Sequence, residues 1–345
     1  MNITVLAGGL SGERDVSLTS GLMCAKSLKK QGHNVFLLDV FMGTDITPDE
    51  VFKSDIDFET QTSSIPSNEP DLEKIKEMRG TSDDGFFGKN VIGICKKSDI
   101  VFMALHGANG EDGKIQATFE LLGIKYTGSD YLGSANAMNK GITRRLLIAD
   151  GIKMANGTSY TSKEYKNGKT DEWNSFPCIV KPCSGGSSIG VSRADDKESF
   201  KKALKDCFKY EDEVVVEEFI TGREFSVGVL DGKALPVIEI IADGFYDYKN
   251  KYSGKTLEVC PAEIDENTTK ALQNAAQKAF ASLKLRIYSR IDFIVSSNGE
   301  IYCLEANTLP GMTPASLLPQ EAAVIGMSHA QLCDFIINKS LEAFA

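Results

Sequence analysis

An α/β protein built from three layered units is what this sequence predicts, on three observations. The opening run ITVLAG passes through a Gly-rich turn into an amphipathic stretch and on to a second strand-type run, NVFLLDV, which is a βαβ unit. At 345 residues the chain exceeds what one core usually serves, so two or three domains are expected. Further along, CSGGSS at 183–188 and Asn298-Gly299 each join two strand-type runs, as a flap or hairpin would.

Taken in order, the first helix is expected to run to about Lys30, with Gly32 just beyond its end. Residues 44–90 are polar and broken by Pro, Gly and Ser, and read as an elaborating insertion with one helix at Leu72–Met78. A buried strand, DIVFMAL, precedes HGANGEDG, a helix from about Gly113 to Leu122 and a short strand, IKYTG. The first unit is expected to span 1–134 and to be Rossmann-like. The second, 135–220, opens with a helix over Ala135–Ala149 and continues with FPCIVKP, the glycine flap, IGVSRA, the helix DKESFKKALKDCF and EVVVEEFI. The third, 221–345, carries EFSVGVL, ALPVIEII, a polar loop at 243–260, a helix near 268–283, the Asn298-Gly299 hairpin and two closing helices.

Composition narrows the function. A net charge of −10 argues against sequence-independent binding to nucleic acid or to an anionic membrane, though not against a nucleotide held by local positive charge. The start MNITVLAGG has no basic segment or cleavage site, and no 18-residue apolar run occurs, so a cytoplasmic protein is expected. Eight cysteines without a CxxC pair favour reduced thiols, and three histidines speak against a zinc enzyme or a Ser-His-Asp hydrolase.

The chemistry concentrates in RIDFIVSSNGEIYCLEAN, residues 290–307. A two-residue turn at Asn298-Gly299 pairs residues whose numbers sum to 597, so Asp292 faces Glu305 and Arg290 faces Asn307. Directly opposed side chains lie about 4.5–5.5 Å apart, and two facing carboxylates repel unless a cation sits between them. With the amide of Asn307 they suit a hard divalent ion such as Mg²⁺. The other reading is that Arg290 simply neutralises the pair on a solvated face. The loop Cys183–Gly190, next to Lys181, offers backbone N–H groups at close approach to a phosphate, or else is an ordinary flexible turn. It is not a Walker A loop, and GGLSG is not a GxGxxG fingerprint, which removes a nicotinamide oxidoreductase. A second lysine, Lys140, begins a helix in AMNKGITRR, and flap, two lysines and hairpin together point to a phosphate chain with its metal.

The ordered set LAGGLSGERDVSL, LHGANGEDGKIQ, SANAMNK, FPCIVKPCSGGSSIGVS, VEEFITGREFSV, YDYKNKY, CPAE, RIDF and LEANTLPGMTPAS resembles the D-alanine–D-alanine ligases of the ATP-grasp superfamily, over essentially the whole chain outside 44–90. The resemblance implies an N-terminal Rossmann-like domain followed by two α+β subdomains clasping ATP. It also implies an enzyme that joins two D-alanines through an acyl phosphate for peptidoglycan synthesis, using ATP and two Mg²⁺ ions, with Mn²⁺ as a substitute, and working as a homodimer.

Residue by residue, the resemblance gives Lys140 and Lys181 to the phosphates, and Glu217, Phe219, Ile220 and Glu224 to adenine and ribose. Ser187 and Ser188 in the flap, with Tyr246 and Lys251, become further ATP contacts. Asp292, Glu305 and Asn307 become the metal ligands, and Arg290 the cation for the oxyanion of the tetrahedral intermediate. Glu13 receives the ammonium of the first D-alanine and, with Ser187 and Tyr252, closes a lid; without the resemblance Glu13 reads as a helix-capping acid. Ser316, Gly311 and Leu317 form the second D-alanine pocket, and His106 lies near the first.

The chain departs from the family pattern in having Asn139 before Lys140, where Asp is frequent, and Thr313-Pro314-Ala315-Ser316 where Thr-x-His-Ser is frequent. Two rivals follow. One is the sister class making D-Ala–D-Ser or D-Ala–D-lactate, disfavoured by the retained Tyr252 and Leu317; the other is an ATP-binding sensor without turnover, disfavoured by the full set Arg290, Asp292, Glu305 and Asn307.

Overall fold

The computed structural model describes residues 1–53, 70–81, 85–186, 189–241 and 256–345. Strand β1 (Asn2–Ala7) is buried from Ile3 onward, as an apolar run covered on both faces must be. Helix α1 (Arg14–Lys30) crosses over to β2 (Asn34–Asp39), and its last turn carries Lys29 and Lys30 at the negative end of the helix dipole. The described part of 44–90 contains helix α2 (Leu72–Arg79), N-capped by Asp71. After α3 (Val91–Lys97) comes β3 (Ile100–Met103), and the sheet order is β2-β1-β3, all parallel. The strand expected at IKYTG amounts to one parallel bridge between Val101 and Tyr126, because Gly128 at φ 96° turns the chain away.

Helix α4 (Lys114–Leu122) leads to a region where one helix was expected and two form: α5 (Tyr131–Met138) and α6 (Lys140–Ala149). The break is Asn139. Its backbone is extended and its side-chain oxygen accepts the Ile142 N–H at 2.9 Å, so a polar residue that competes with the backbone starts a new helix at Lys140. Ser134, the expected end of the first unit, lies inside α5.

The second sheet has the order β4-β7-β5-β6, antiparallel throughout: β4 (Gly157–Thr161), β5 (Cys178–Pro182), β6 (Ser192–Ala194) and β7 (Glu213–Glu218). The edge strand β4, sequence GTSYT, has only Tyr160 buried and therefore gave no apolar signal. The third sheet runs β11-β10-β8-β12-β13, with β9 (Lys233–Ala234) also on β8. Its members are β8 (Gly222–Leu230), β10 (Ile238–Ile241), β11 (Leu257–Val259), β12 (Tyr288–Ser296) and β13 (Ile301–Asn307). Within the expected polar loop at 243–260, Leu257–Val259 is instead a strand paired with β10.

The hairpin corrects one expectation and keeps its consequence. Three residues, Ser297–Gly299, rather than two, lie between the last bonded pair, Ser296 and Glu300: Ser296 N–H donates to the Glu300 carbonyl, and Gly299 takes φ 80°. That is a turn followed by a left-handed glycine, the three-residue alternative to the two-residue turn. Pairs near the turn, such as Ile294 with Tyr302, therefore sum to 596. A register shift between Asp292 and Phe293, with Leu304 as the extra residue, adds one back. Asp292 still faces Glu305, and Arg290 still faces Asn307.

Helix Glu266–Ser282 packs on β8 and β12, and helix Leu317–Val324 on β8. The last helix, His329–Ala343, returns to the start of the chain: Leu332, Cys333, Ile336 and Ile337 are buried in one cluster with Ile3, Leu28 and Phe102. Among the described residues no helix is long and apolar enough to cross a membrane.

Candidate active site

A cavity of about 1020 Å³ opens where the three sheets meet. It is lined by fifteen of the twenty side chains singled out from the sequence: Glu13 and His106 from the first unit; Lys140, Lys181, Glu217, Phe219 and Ile220 from the second; Glu224, Arg290, Asp292, Glu305, Asn307, Gly311, Ser316 and Leu317 from the third. The other five, Ser187, Ser188, Tyr246, Lys251 and Tyr252, lie outside the described residues.

Alternation along β12 and β13 turns Arg290, Asp292, Glu305 and Asn307 toward the cavity. Asp292 is held by three different side chains. Arg290 grips it with two prongs, Nε to Oδ1 at 2.9 Å and Nη2 to Oδ2 at 2.8 Å. Ser226 Oγ donates to it at 2.7 Å and Asn307 Nδ2 at 3.0 Å. Glu305 faces a different cation, Lys140 Nζ at 3.5 Å. The two opposed carboxylates thus have separate positive partners, and their oxygens and the Asn307 amide oxygen form a hard, all-oxygen donor set.

Lys140 also donates to the Gly185 carbonyl, so one ammonium ties the glycine flap to the hairpin. Lys181 and Glu217, on neighbouring strands β5 and β7, form a buried ion pair with 8% and 7% exposure. Burying such a pair costs desolvation free energy that the Coulomb attraction offsets only with good geometry, so it is weak evidence for stability and fits a functional position. Arg193 stacks over the Phe219 ring at 4.4 Å.

Glu13 occupies the N-cap position of α1, yet its side chain does not cap the helix. A β-carbon on Gly107 would lie 3.0 Å from its Oε2, and one on Gly186 2.5 Å, so both loops approach this carboxylate closely because they carry glycine there. In the loop before helix Leu317–Val324, Ser316 Oγ accepts the Thr313 N–H at 3.1 Å and would touch a β-carbon on Gly311 at 2.9 Å. Leu317 packs with Ile238 and Ile240.

His106 is buried and fully engaged. A carbonyl can only accept, so Nδ1–H donates to the Leu309 carbonyl at 2.8 Å, leaving Nε2 to accept from the Ser20 hydroxyl at 3.2 Å. Burial pushes its pKa down, keeping the ring neutral. It holds the Leu309 loop in place and has no spare nitrogen for proton transfer.

Sequence reasoning missed Glu111. It sits in the quoted motif HGANGEDG, lines the cavity, and accepts the N–H groups of Gly107 at 2.8 Å and Leu309 at 3.0 Å. With His106 it clamps both sides of Leu309. Burial, and then the charge of Glu13, push its pKa up to about 8. The available signal was a carboxylate set just after an Asn-Gly turn, inside a motif read only for its histidine.

Comparison with known proteins identifies the family. The family described as "D-ala D-ala ligase N-terminus" matches residues 2–129 and "D-ala D-ala ligase C-terminus" matches residues 146–338. The D-alanine–D-alanine ligase of Pediococcus pentosaceus is 42% identical, covering 98% of this chain and 97% of its own. The structure of the Bacillus anthracis D-alanine–D-alanine ligase complexed with ATP is similar with a TM-score of 0.72 at 30% identity, covering 99% of this chain and 98% of that one. The VanG D-Ala:D-Ser ligase of Enterococcus faecalis reaches 0.76 at 28% identity, covering 98% and 99%. The chain belongs to the D-alanine–D-alanine ligase family and is an ATP-dependent ligase with the ATP-grasp fold.

Proposed function

We propose that this ligase converts two D-alanines and ATP into D-alanyl-D-alanine, ADP and phosphate through a D-alanyl phosphate. One observation supports this above all: a single cavity is lined by two phosphate-type lysines, an acidic hairpin carrying an arginine, and a carboxylate and a serine that suit an amino acid. Lys140 and Lys181 would hold the phosphate chain. Phe219 and Ile220 would cover the adenine, with Glu217 and Glu224 as polar partners of base and ribose.

Asp292, Glu305 and Asn307 fit Mg²⁺, since all offer hard oxygens on one hairpin face. Bound there, the metal supplies charge neutralisation for the transferring phosphoryl group. Glu13 would bind the ammonium of the first D-alanine, leaving that substrate's own carboxylate as the attacking nucleophile. Ser316, with the Gly311 backbone, would orient the second D-alanine so that its amine attacks the acyl phosphate. Arg290, held in plane by Asp292, would stabilise the oxyanion of that step, where charge develops.

Leu317 supports D-alanine over D-serine as acceptor, because it belongs to an apolar cluster with Ile238 and Ile240 and would leave a serine hydroxyl without a partner. A cytoplasmic location, with its ATP supply, and a homodimer belong to the same reading. The test is phosphate release with D-alanine, D-serine or D-lactate as acceptor, with products identified by mass. D-Ala–D-Ala as the main product is expected. A mixed dipeptide or depsipeptide as the main product would move the chain to the sister class, and ATP binding without D-alanine-dependent phosphate release would leave only a sensor.

A further inference from the structure

Helix α1 and the last helix pack side by side, and three ligating side chains meet in their seam: Cys24 from α1, and His329 and Cys333 from the last helix. Their ligand atoms all lie within 4.8 Å of one another. His329 and Cys333 are four residues apart on a helix and so share a face. Both cysteines are fully buried, His329 partly so, and the two thiols are in hydrogen-bonding contact. The ligase chemistry uses none of the three.

Two buried thiols alone are ordinary packing groups. The imidazole and the carbonyl oxygen beside them change that. The Met312 carbonyl accepts from His329 Nε2 at 2.8 Å and from Cys24 Sγ at 3.7 Å, while His329 Nδ1 meets Ser27 Oγ at 2.7 Å. Whichever ring nitrogen turns to an ion, the other keeps a partner already in place, as metal-bound histidines almost always do. Two sulfurs and one nitrogen form a soft donor set suited to Zn²⁺ and not to Mg²⁺. Bonds of about 2.3 Å to sulfur and about 2.0 Å to nitrogen put tetrahedral ligands roughly 3.5–3.8 Å apart, so the seam needs only slight closure.

We propose that Cys24, His329 and Cys333, with the Met312 carbonyl or a water as fourth ligand, bind one thiophilic divalent cation of the Zn²⁺ class, outside the ATP cavity. The ion staples the last helix to α1. Through Met312 it also braces the loop between Gly311 and Thr313, both of which line the cavity.

The test uses the full-length protein, stripped with a chelator and kept reduced. It is loaded with Zn²⁺ or with Co²⁺ as a coloured probe, in excess Mg²⁺. One retained Zn²⁺ per chain and a thiolate-to-Co²⁺ charge-transfer band are expected, with affinity weakened about tenfold or more in Cys24→Ser, Cys333→Ser and His329→Asn. Thermal melts without added metal check that the variants fold, and the Co²⁺ spectrum of the unmutated protein decides the matter without them. No charge-transfer band, or undiminished Zn²⁺ retention in folded variants, would overturn the proposal. None of these readouts depends on which substrates the ligase joins.

Discussion

Glu111 is held where its charge is costly, and that cost has a measurable sign. Its pKa is raised from 4.5 to about 8, so the folded protein keeps a proton that the unfolded chain releases. Stability is then free of the penalty below pH 4.5 and falls as pH rises through this window to about 8, by on the order of a few kcal/mol. Glu111→Gln removes the titration, though its Nε2 can only donate and so gives up one of the two accepted backbone N–H bonds, and its unfolding free energy should decline less between pH 5 and 8, as denaturant titrations at several pH values would reveal. An unchanged pH dependence would mean that this carboxyl titrates normally. At this scale the sequence was readable where a residue's placement follows from type and spacing, as for Asp292 opposite Glu305. It was silent where the role comes from the neighbours: nothing in the spacing pairs Lys181 with Glu217, or sets His106 and Glu111 on either side of Leu309, more than 190 positions away.

Among the elements, the β12–β13 hairpin is the one the sequence specified most closely. Its pairing near Asp292 follows from two offsets that cancel: a loop one residue longer than expected, and a compensating bulge at Leu304. Asn-Gly signals a tight reversal but does not distinguish the two-residue turn from a three-residue loop whose last residue is left-handed. Gly299 at φ 80° has nothing within 4 Å of a β-carbon position, so Gly299→Ala meets backbone strain alone. It should cost about 1–2 kcal/mol, read as a lower midpoint in thermal or denaturant unfolding, while turnover stays near that of the unmutated enzyme. Loss of turnover without loss of stability would mean that the loop does more than close the hairpin. Among the elements missed, β4 and β11 are short edge strands with too few buried residues to leave a period, and the α5–α6 break hangs on one capping side chain.

In the whole molecule, the chain closes on itself: the last helix completes the core begun by β1, so the first sheet's stability depends on residues more than 300 positions away. Ile336→Ala, at a fully buried position in that cluster, should cost about 2–5 kcal/mol and lower the unfolding midpoint; a negligible change would mean that the helix is only loosely attached. This closure was not legible in the sequence, where two closing helices read as part of the third unit. The cavity at the junction of the three sheets is what the account rests on, with Arg290 assigned to the moment when charge develops. The most direct measurement is steady-state D-alanine-dependent phosphate release by Arg290→Ala, alongside calorimetric ATP binding to the same variant. A fall in kcat of about 10²–10³ with ATP affinity within a few-fold of the unmutated enzyme is the predicted result. Turnover that survives, or ATP affinity that collapses along with it, would contradict the role given to this arginine.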